Sequence, residues 1–220
     1  MVHNSVQNLI NIKNQINLKT NANDTLKIIA VSKTFGAEAI KPLIEYGHID
    51  FGENKVQETL NKWSDLKLKY KQIKLHMIGK LQTNKVKNAV KIFDYIHSVD
   101  NEKLAKKISD EQIKNNKNIK IFIQVNIGNE DQKTGINKDK LKNFYKYCLN
   151  LKLDVQGLMC IPPDGQDSSK FFKDLKFLNE NLGLKKLSMG MSSDYISAIE
   201  NSATHIRIGS SIFGSRNQDI

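Results

Sequence analysis

Short apolar runs and amphipathic stretches alternate along the chain in a regular order. The opening segment sets Val2, Val6, Leu9, Ile10 and Ile16 near one face of a helical wheel, which predicts an amphipathic helix ahead of the first strand. Leu26–Ser32 is an apolar run of the kind a strand buried on both faces requires. A helix around Ala39–Tyr46 follows, with Pro42 tolerable only near its first turn and Gly47 as a stop signal. His48–Gly52 and Leu75–Gly79 read as the second and third strands, separated by a helix striped with Val56, Leu60 and Trp63. Val86, Val90 and Phe93 mark the next helix, Asp94–Val99 the fourth strand, and Leu104, Ala105 and Ile108 its helix. Ile119–Ile127, rich in β-branched residues, is the clearest strand, and Leu141, Phe144, Tyr145 and Cys148 stripe the helix after it. Leu153–Cys160 is the sixth strand, and Phe171, Leu175, Leu178 and Leu182 recur at helical spacing behind it. Lys186–Gly190 and Thr204–Ile208 complete the set, with Ile196 and Ile199 on a short helix between them and a last helical turn beyond.

Eight strand-then-helix units with short polar links predict one α/β domain over residues 1–220, a single parallel (β/α)8 TIM barrel with an additional N-terminal helix. An open doubly wound sheet is the alternative that periodicity alone leaves standing. Hydrophobic residues make up 39% of the chain and charged residues 26%, which suits a soluble protein with a large core. The net charge of +11 raises the question of an anionic partner. The lysines, however, are scattered over nearly every helix among many asparagines, with no arginine cluster, zinc spacing or aromatic stacking motif. They predict a solvated surface, and no nucleic acid is expected as a partner. Cys148 and Cys160 lie in apolar runs and are expected as reduced core thiols. With no signal-peptide or membrane-length apolar stretch, a cytoplasmic protein without a membrane partner is expected. His48, His76, His97 and His205 fall in strands without metal-ligand spacing and are read as structural, with no metal expected.

Chemistry in such a barrel gathers at the C-terminal ends of the strands. The last two strands end in Gly190-Met191-Ser192-Ser193 and Gly209-Ser210-Ser211, where barrels of this kind hold phosphate. Gly190 and Gly209 would permit close backbone approach, Ser192 and Ser210 would add hydroxyl donors, and the N–H groups of a following helix would point at the anion. The first strand ends at Ser32-Lys33-Thr34, which draws Lys33 toward the mouth. Partly desolvated and near Arg207, this amine would have a depressed pKa and serve as a nucleophile toward an aldehyde. A solvated strand-end lysine is the competing reading, and the phosphate site across the mouth favours the first.

These motifs resemble the pyridoxal 5'-phosphate (PLP) binding homeostasis proteins, which share the fold of the N-terminal barrel of alanine racemase. The resemblance rests on Ala30-Val31-Ser32-Lys33-Thr34, Phe51-Gly52-Glu53-Asn54, His76-Met77-Ile78-Gly79 with Leu81-Gln82-Thr83-Asn84, and Lys133-Thr134-Gly135. Gly157-Leu158-Met159, Leu187-Ser188-Met189-Gly190-Met191-Ser192, and Arg207-Ile208-Gly209-Ser210 with Ile212 to Arg216 complete it, so that it spans nearly the whole chain. It implies a Schiff base between PLP and Lys33, with Ser192, Gly209 and Ser210 around the phosphate. Arg207 would face the pyridine nitrogen, Asn54 would lie beside the ring, and Met191 would add a backbone contact. Lys133 matches a loop lysine that influences PLP occupancy, and whether it holds a second PLP stays open. His76 is a further candidate to approach the ring. Lys80 and Ser193 depart from the family's usual residues at the rim.

An arginine only donates and stays charged, so a ring paired with Arg207 is a weaker electron sink than one paired with a carboxylate. Racemisation needs an acid or base on each face, and alanine racemase draws the second from an additional domain for which this chain has no evident room. The expectation is a monomeric PLP carrier in vitamin B6 and amino-acid homeostasis, without catalytic turnover, passing PLP to dependent apoenzymes. A small PLP-dependent amino-acid racemase and a basic nucleic-acid-binding protein are the alternatives.

Overall fold

The computed structural model describes residues 2–19, 26–130, 132 and 134–214. Helix α1 (Asn4–Lys19) precedes β1 (Lys27–Val31), α2 (Ala37–Glu45), β2 (Asp50–Glu53), α3 (Val56–Lys69) and β3 (Lys74–Met77). A 3-10 turn (Thr83–Lys85) leads into α4 (Val86–Ile92), followed by β4 (Tyr95–Val99), α5 (Glu102–Lys114), β5 (Lys120–Gln124) and α6 (Leu141–Asn150). The remainder is β6 (Asp154–Met159), α7 (Ser168–Asn181), β7 (Lys186–Ser188), α8 (Tyr195–Glu200), β8 (His205–Ile208) and α9 (Ser210–Phe213). The strands pair in parallel in chain order, and β8 returns to β1 through the Lys27–His205 and Ile29–Arg207 pairs. The sheet is therefore a closed barrel with α1 added ahead of it, and the open sheet is excluded.

Strand alternation divides the buried residues into two populations. Outward side chains such as Ile28, Ala30, Phe51, Leu75, Ile121 and Ile206 join one large core with the helix residues Leu43, Trp63, Ala89 and Ile108. Trp63 lies against Phe51 with ring centroids 4.9 Å apart, and each such side chain contributes about 1.5–3 kcal/mol by leaving water. The inward population is different. Tyr95, Phe122 and Met159 form a separate small cluster, and His76, His97, Ser188, His205 and Arg207 are buried there too. Barrels of this kind usually fill that space with branched aliphatic side chains; here four strands, β3, β4, β7 and β8, supply polar ones.

Two local expectations change. Helix α2 begins at Ala37, so Pro42 sits in its second turn instead of its first. Its missing N–H leaves the carbonyl of Glu38 without a helical donor, and Glu38 is exposed to water. The fifth strand stops at Gln124, and Val125 bridges Ile136 in the following loop while its N–H still donates to the Met159 carbonyl at 2.8 Å. Lys133, Ser215 and Arg216 lie outside the described residues.

Candidate functional site

The loops beyond the C-terminal strand ends enclose a cavity of about 420 Å³, within the range of small-molecule sites. Lys33, Asn54, Met191, Ser192, Arg207, Gly209 and Ser210 all border it. So do Val31, Phe35, Ile78, Ile161, Ser193 and Gly214. The apolar members were not legible as site residues, because nothing distinguishes a strand-end Ile or Phe at a mouth from one in a core.

Lys33 stands one inward step beyond Val31, on a tight turn in which the Phe35 N–H donates to the Ser32 carbonyl at 3.2 Å. Thr34 takes the left-handed region with φ of +70°, which disfavours a β-branched residue. Four contacts hold this strained turn. The Thr34 N–H donates to Glu58 Oε1 at 2.8 Å, and Lys62 Nζ donates to the carbonyls of Ser32 and Phe35 at 2.7 and 2.9 Å. Lys62 pairs in turn with Glu53 at 2.8 Å. The same Glu53 Oε1 accepts from the Ser32 hydroxyl at 2.6 Å and from the Trp63 indole at 2.9 Å. From the sequence Glu53 stood out only as a member of the Phe51-Gly52-Glu53-Asn54 motif, with no role assigned, and Lys62 not at all. The available signal was the Glu58–Lys62 spacing on one face of α3. Phe35 also stacks on Phe213 with centroids 4.9 Å apart, joining the Lys33 turn to α9.

Arg207 is buried, at 5% exposure. Its Nη1 donates to Ser188 Oγ at 2.8 Å and its Nη2 to the Cys160 carbonyl at 2.9 Å. Burial pushes the guanidinium below its usual value, yet arginine starts so high that it stays charged near neutral pH. Ser192 Oγ accepts from the Gly209 N–H at 3.4 Å, linking the two Gly-Ser strand ends. The Met191 N–H is committed to Asp194 Oδ1 at 2.7 Å, so any contact Met191 makes with a ligand uses its other atoms.

The two glycines have different reasons. Gly190 has φ of +90°, and a Cβ there would lie 2.5 Å from the Ala198 Cβ. It serves the packing of α8 and does not border the cavity, which corrects its assignment to ligand approach. A Cβ at Gly209 would stand 3.5 Å from the Val31 Cβ, an ordinary contact. The chain's own packing does not demand glycine at 209, and the open space suits a ligand pressed against the backbone. Helix α1 braces both elements: Asn8 Nδ2 donates to the Ile212 carbonyl at 3.0 Å, and the Tyr195 hydroxyl to Gln15 Oε1 at 2.6 Å.

His76 does not border the cavity. It is fully buried, and alternation brings Ile78 to the mouth while His76 stays one pleat deeper, 2.9 Å from Asp50. Among the described residues no cluster of side chains could hold a metal ion, and no helix is long and apolar enough to cross a membrane. Cys148 and Cys160 are buried free thiols, each pushed up to about 12 by burial.

The chain matches the family model described as alanine racemase, N-terminal domain, over residues 8–217. It is 40% identical over 200 residues to the pyridoxal phosphate homeostasis protein of Aquifex aeolicus, covering 86% of this chain and 87% of that one. To the protein of the same name from Vibrio cholerae it is 37% identical, covering 89% and 87%. Among solved structures it is similar to PipY of Synechococcus elongatus with PLP bound, with a TM-score of 0.85 and 31% identity over 96% of this chain and 100% of that one. Alanine racemase of Clostridium difficile shares the fold at a TM-score of 0.76 and 16% identity, over 98% of this chain but 57% of its own. A match of this length and identity, on a closed barrel whose motifs converge at one mouth, places the chain in the pyridoxal phosphate homeostasis protein family, within the alanine racemase N-terminal fold.

Proposed function

We propose that the mouth holds PLP covalently on Lys33 and that the protein is a carrier in intracellular PLP homeostasis and amino-acid balance. The observation that carries this reading is the convergence of a turn-held lysine, a buried arginine and two Gly-Ser strand ends on one cavity. In this reading Ser192, Gly209 and Ser210 receive the phosphate, Arg207 faces the pyridine nitrogen, Asn54 lies beside the ring and Met191 lines the rim. When bound, PLP supplies an aldehyde and an electron-withdrawing ring. The relatives' names, and the PLP recorded in PipY, support the assignment.

The lining supports carriage over turnover. Of the described side chains bordering the cavity, Lys33 is the one amine; the others are arginine, serine, asparagine and apolar groups, none of which is a carboxylate, imidazole, phenol or thiol that could serve as a second acid or base. Racemisation needs two such groups on opposite faces. The barrel thus acts as one PLP-binding domain, a cytoplasmic monomer whose partners are PLP and the apoenzymes that receive it.

Incubation with PLP should give a visible absorption band that borohydride fixes, and peptide mapping should locate the adduct on Lys33. The Lys33→Ala protein should lack it. A preparation that stays colourless, or an adduct mapped elsewhere, overturns the assignment, and robust turnover in an amino-acid racemase assay overturns the carrier role.

A further inference from the structure

An unbroken line of polar side chains crosses the barrel interior beneath Arg207. Arg207 Nη1 donates to Ser188 Oγ, and Ser188 Oγ lies 2.8 Å from His97 Nδ1. His97 Nε2 lies 2.9 Å from His76 Nδ1, and His76 Nε2 2.9 Å from Asp50 Oδ1. Lys27 Nζ closes the far end, 3.4 Å from the same Asp50 oxygen. Both ends open on hollows: Arg207 borders the mouth cavity, and Asp50 borders a second one of about 560 Å³ at the N-terminal ends of β1 and β2.

The termini decide the direction. A guanidinium can only donate and a carboxylate can only accept. Donation therefore runs from Arg207 to Ser188, from the Ser188 hydroxyl to His97 Nδ1, from His97 Nε2–H to His76 Nδ1, and from His76 Nε2–H to Asp50. Burial holds both imidazoles below their ordinary value, for His76 against the opposing pull of Asp50, so both are neutral at neutral pH. We propose that Ser188, His97, His76 and Asp50 are positioning residues, a polarised relay that sets Arg207 and couples it to the protonation of the opposite barrel end. It rests on the PLP reading only in naming what Arg207 faces.

The relay has one other state that keeps all four links from Arg207 to Asp50, richer by a single proton, with the Ser188 hydroxyl proton turned out of the line. One proton enters at Ser188 as its own moves to His97 Nδ1; His97 Nε2 passes one to His76 Nδ1, and the surplus is shared by His76 Nε2 and Asp50. Every hydrogen bond between His76 and Ser188 then points the other way, and Ser188 Oγ accepts from both His97 and Arg207. The surroundings favour one carboxylate terminus. Tyr95 stacks on His76 at 4.3 Å and Phe122 on His97 at 4.4 Å. Lys27, His48, Lys120, Lys186 and His205 bring positive or neutral groups from β1, the β2 approach, β5, β7 and β8, and Asp94 acts on His76 from before β4.

Nitrogen-15 NMR of histidine-labelled, cofactor-free protein reads the tautomers directly. Wild type at neutral pH should show His76 and His97 both protonated at Nε2; an Nδ1–H form of either overturns the proposal, whatever the variants do. Asp50→Leu removes the terminal acceptor and should move His97 to the Nδ1–H form, although His97 does not touch residue 50. An unchanged His97 in a folded Asp50→Leu protein overturns the coupling. In PLP-loaded protein the pH midpoint of the visible band should shift by about half a unit or more in the same variant. Identical midpoints overturn the link to the cofactor. Absence of any band overturns the PLP reading instead, while the tautomers still decide the relay.

Discussion

Lys62→Met tests how the Lys33 turn is held. Glu53 is fully buried and the Lys62 side chain is 8% exposed, so the substitution leaves a carboxylate in the core without its counter-charge. Removing one partner of such a pair costs about 3–5 kcal/mol. The Phe35 carbonyl also loses the Lys62 donor, though half-buried Phe35 lies within reach of water, and the Ser32 carbonyl keeps only the Phe35 N–H. Glu53→Gln is milder, because an amide oxygen still accepts from Ser32 and Trp63, and Lys62 keeps both carbonyls and Glu58 at 3.6 Å. About 1–2 kcal/mol is expected there. At about 2–4 °C per kcal/mol for a chain of this size, Lys62→Met should melt roughly 10 °C below wild type. The Glu53→Gln/Lys62→Met double variant should recover about 2 kcal/mol relative to Lys62→Met, since the uncompensated charge is gone. Urea denaturation of the cofactor-free proteins measures all four corners of the cycle. A Lys62→Met loss below about 1 kcal/mol, or a Glu53→Gln loss as large as that of Lys62→Met, would refute a buried pair holding this turn.

Other predictions separate site from scaffold. Gly190→Ala should lose about 1–3 kcal/mol, from a left-handed alanine pressed on α8, while Gly209→Ala should change stability by less than about 1 kcal/mol yet weaken PLP binding in a spectral titration. His48 is pushed down to about 4 by burial, against the pull of Asp50, and burial likewise lowers His76, His97 and His205. The unfolded chain therefore binds more protons below about pH 6.5, so stability should be full above that value and fall progressively toward pH 4 in denaturation curves. A flat profile there would show that these imidazoles titrate freely. Cys148 and Cys160, raised to about 12, should resist thiol reagents at mildly alkaline pH until the protein is unfolded; rapid labelling of native protein would contradict their burial.

The barrel was legible because its outward strand positions and one face of each helix are apolar, so that short apolar runs alternate with amphipathic stretches and their count sufficed without knowledge of register. The mouth was legible for a related reason: Lys33, Ser192, Arg207 and Ser210 are strand-end residues, and all eight strands end on one side. What joins strands sideways was not. Asp50, His76, His97 and Ser188 meet only through the register of four strands, which no local pattern encodes, and each histidine alone looked structural. Glu53 and Lys62 were missed because a charged residue at a strand end or helix face reads as solvated until a neighbouring element covers it. Gly190 was misassigned because the sequence shows that a side chain is absent without showing whether a helix or a ligand fills the space.

The bracing of α8 and α9 by α1 bears on the order of events during synthesis. The Asn8–Ile212 and Gln15–Tyr195 bonds span 204 and 180 residues. Helix α1 leaves the ribosome ahead of the barrel and must wait for nearly all of it before it meets the segments it supports. Contacts so distant in sequence form late and slow folding. On a nascent chain the Lys33 turn emerges early, while Ser192, Gly209 and Ser210 come last. On the proposed assignment of the amine to Lys33 and the phosphate to these strand ends, capture of PLP follows synthesis, and a chain stalled before them carries the amine without the phosphate site.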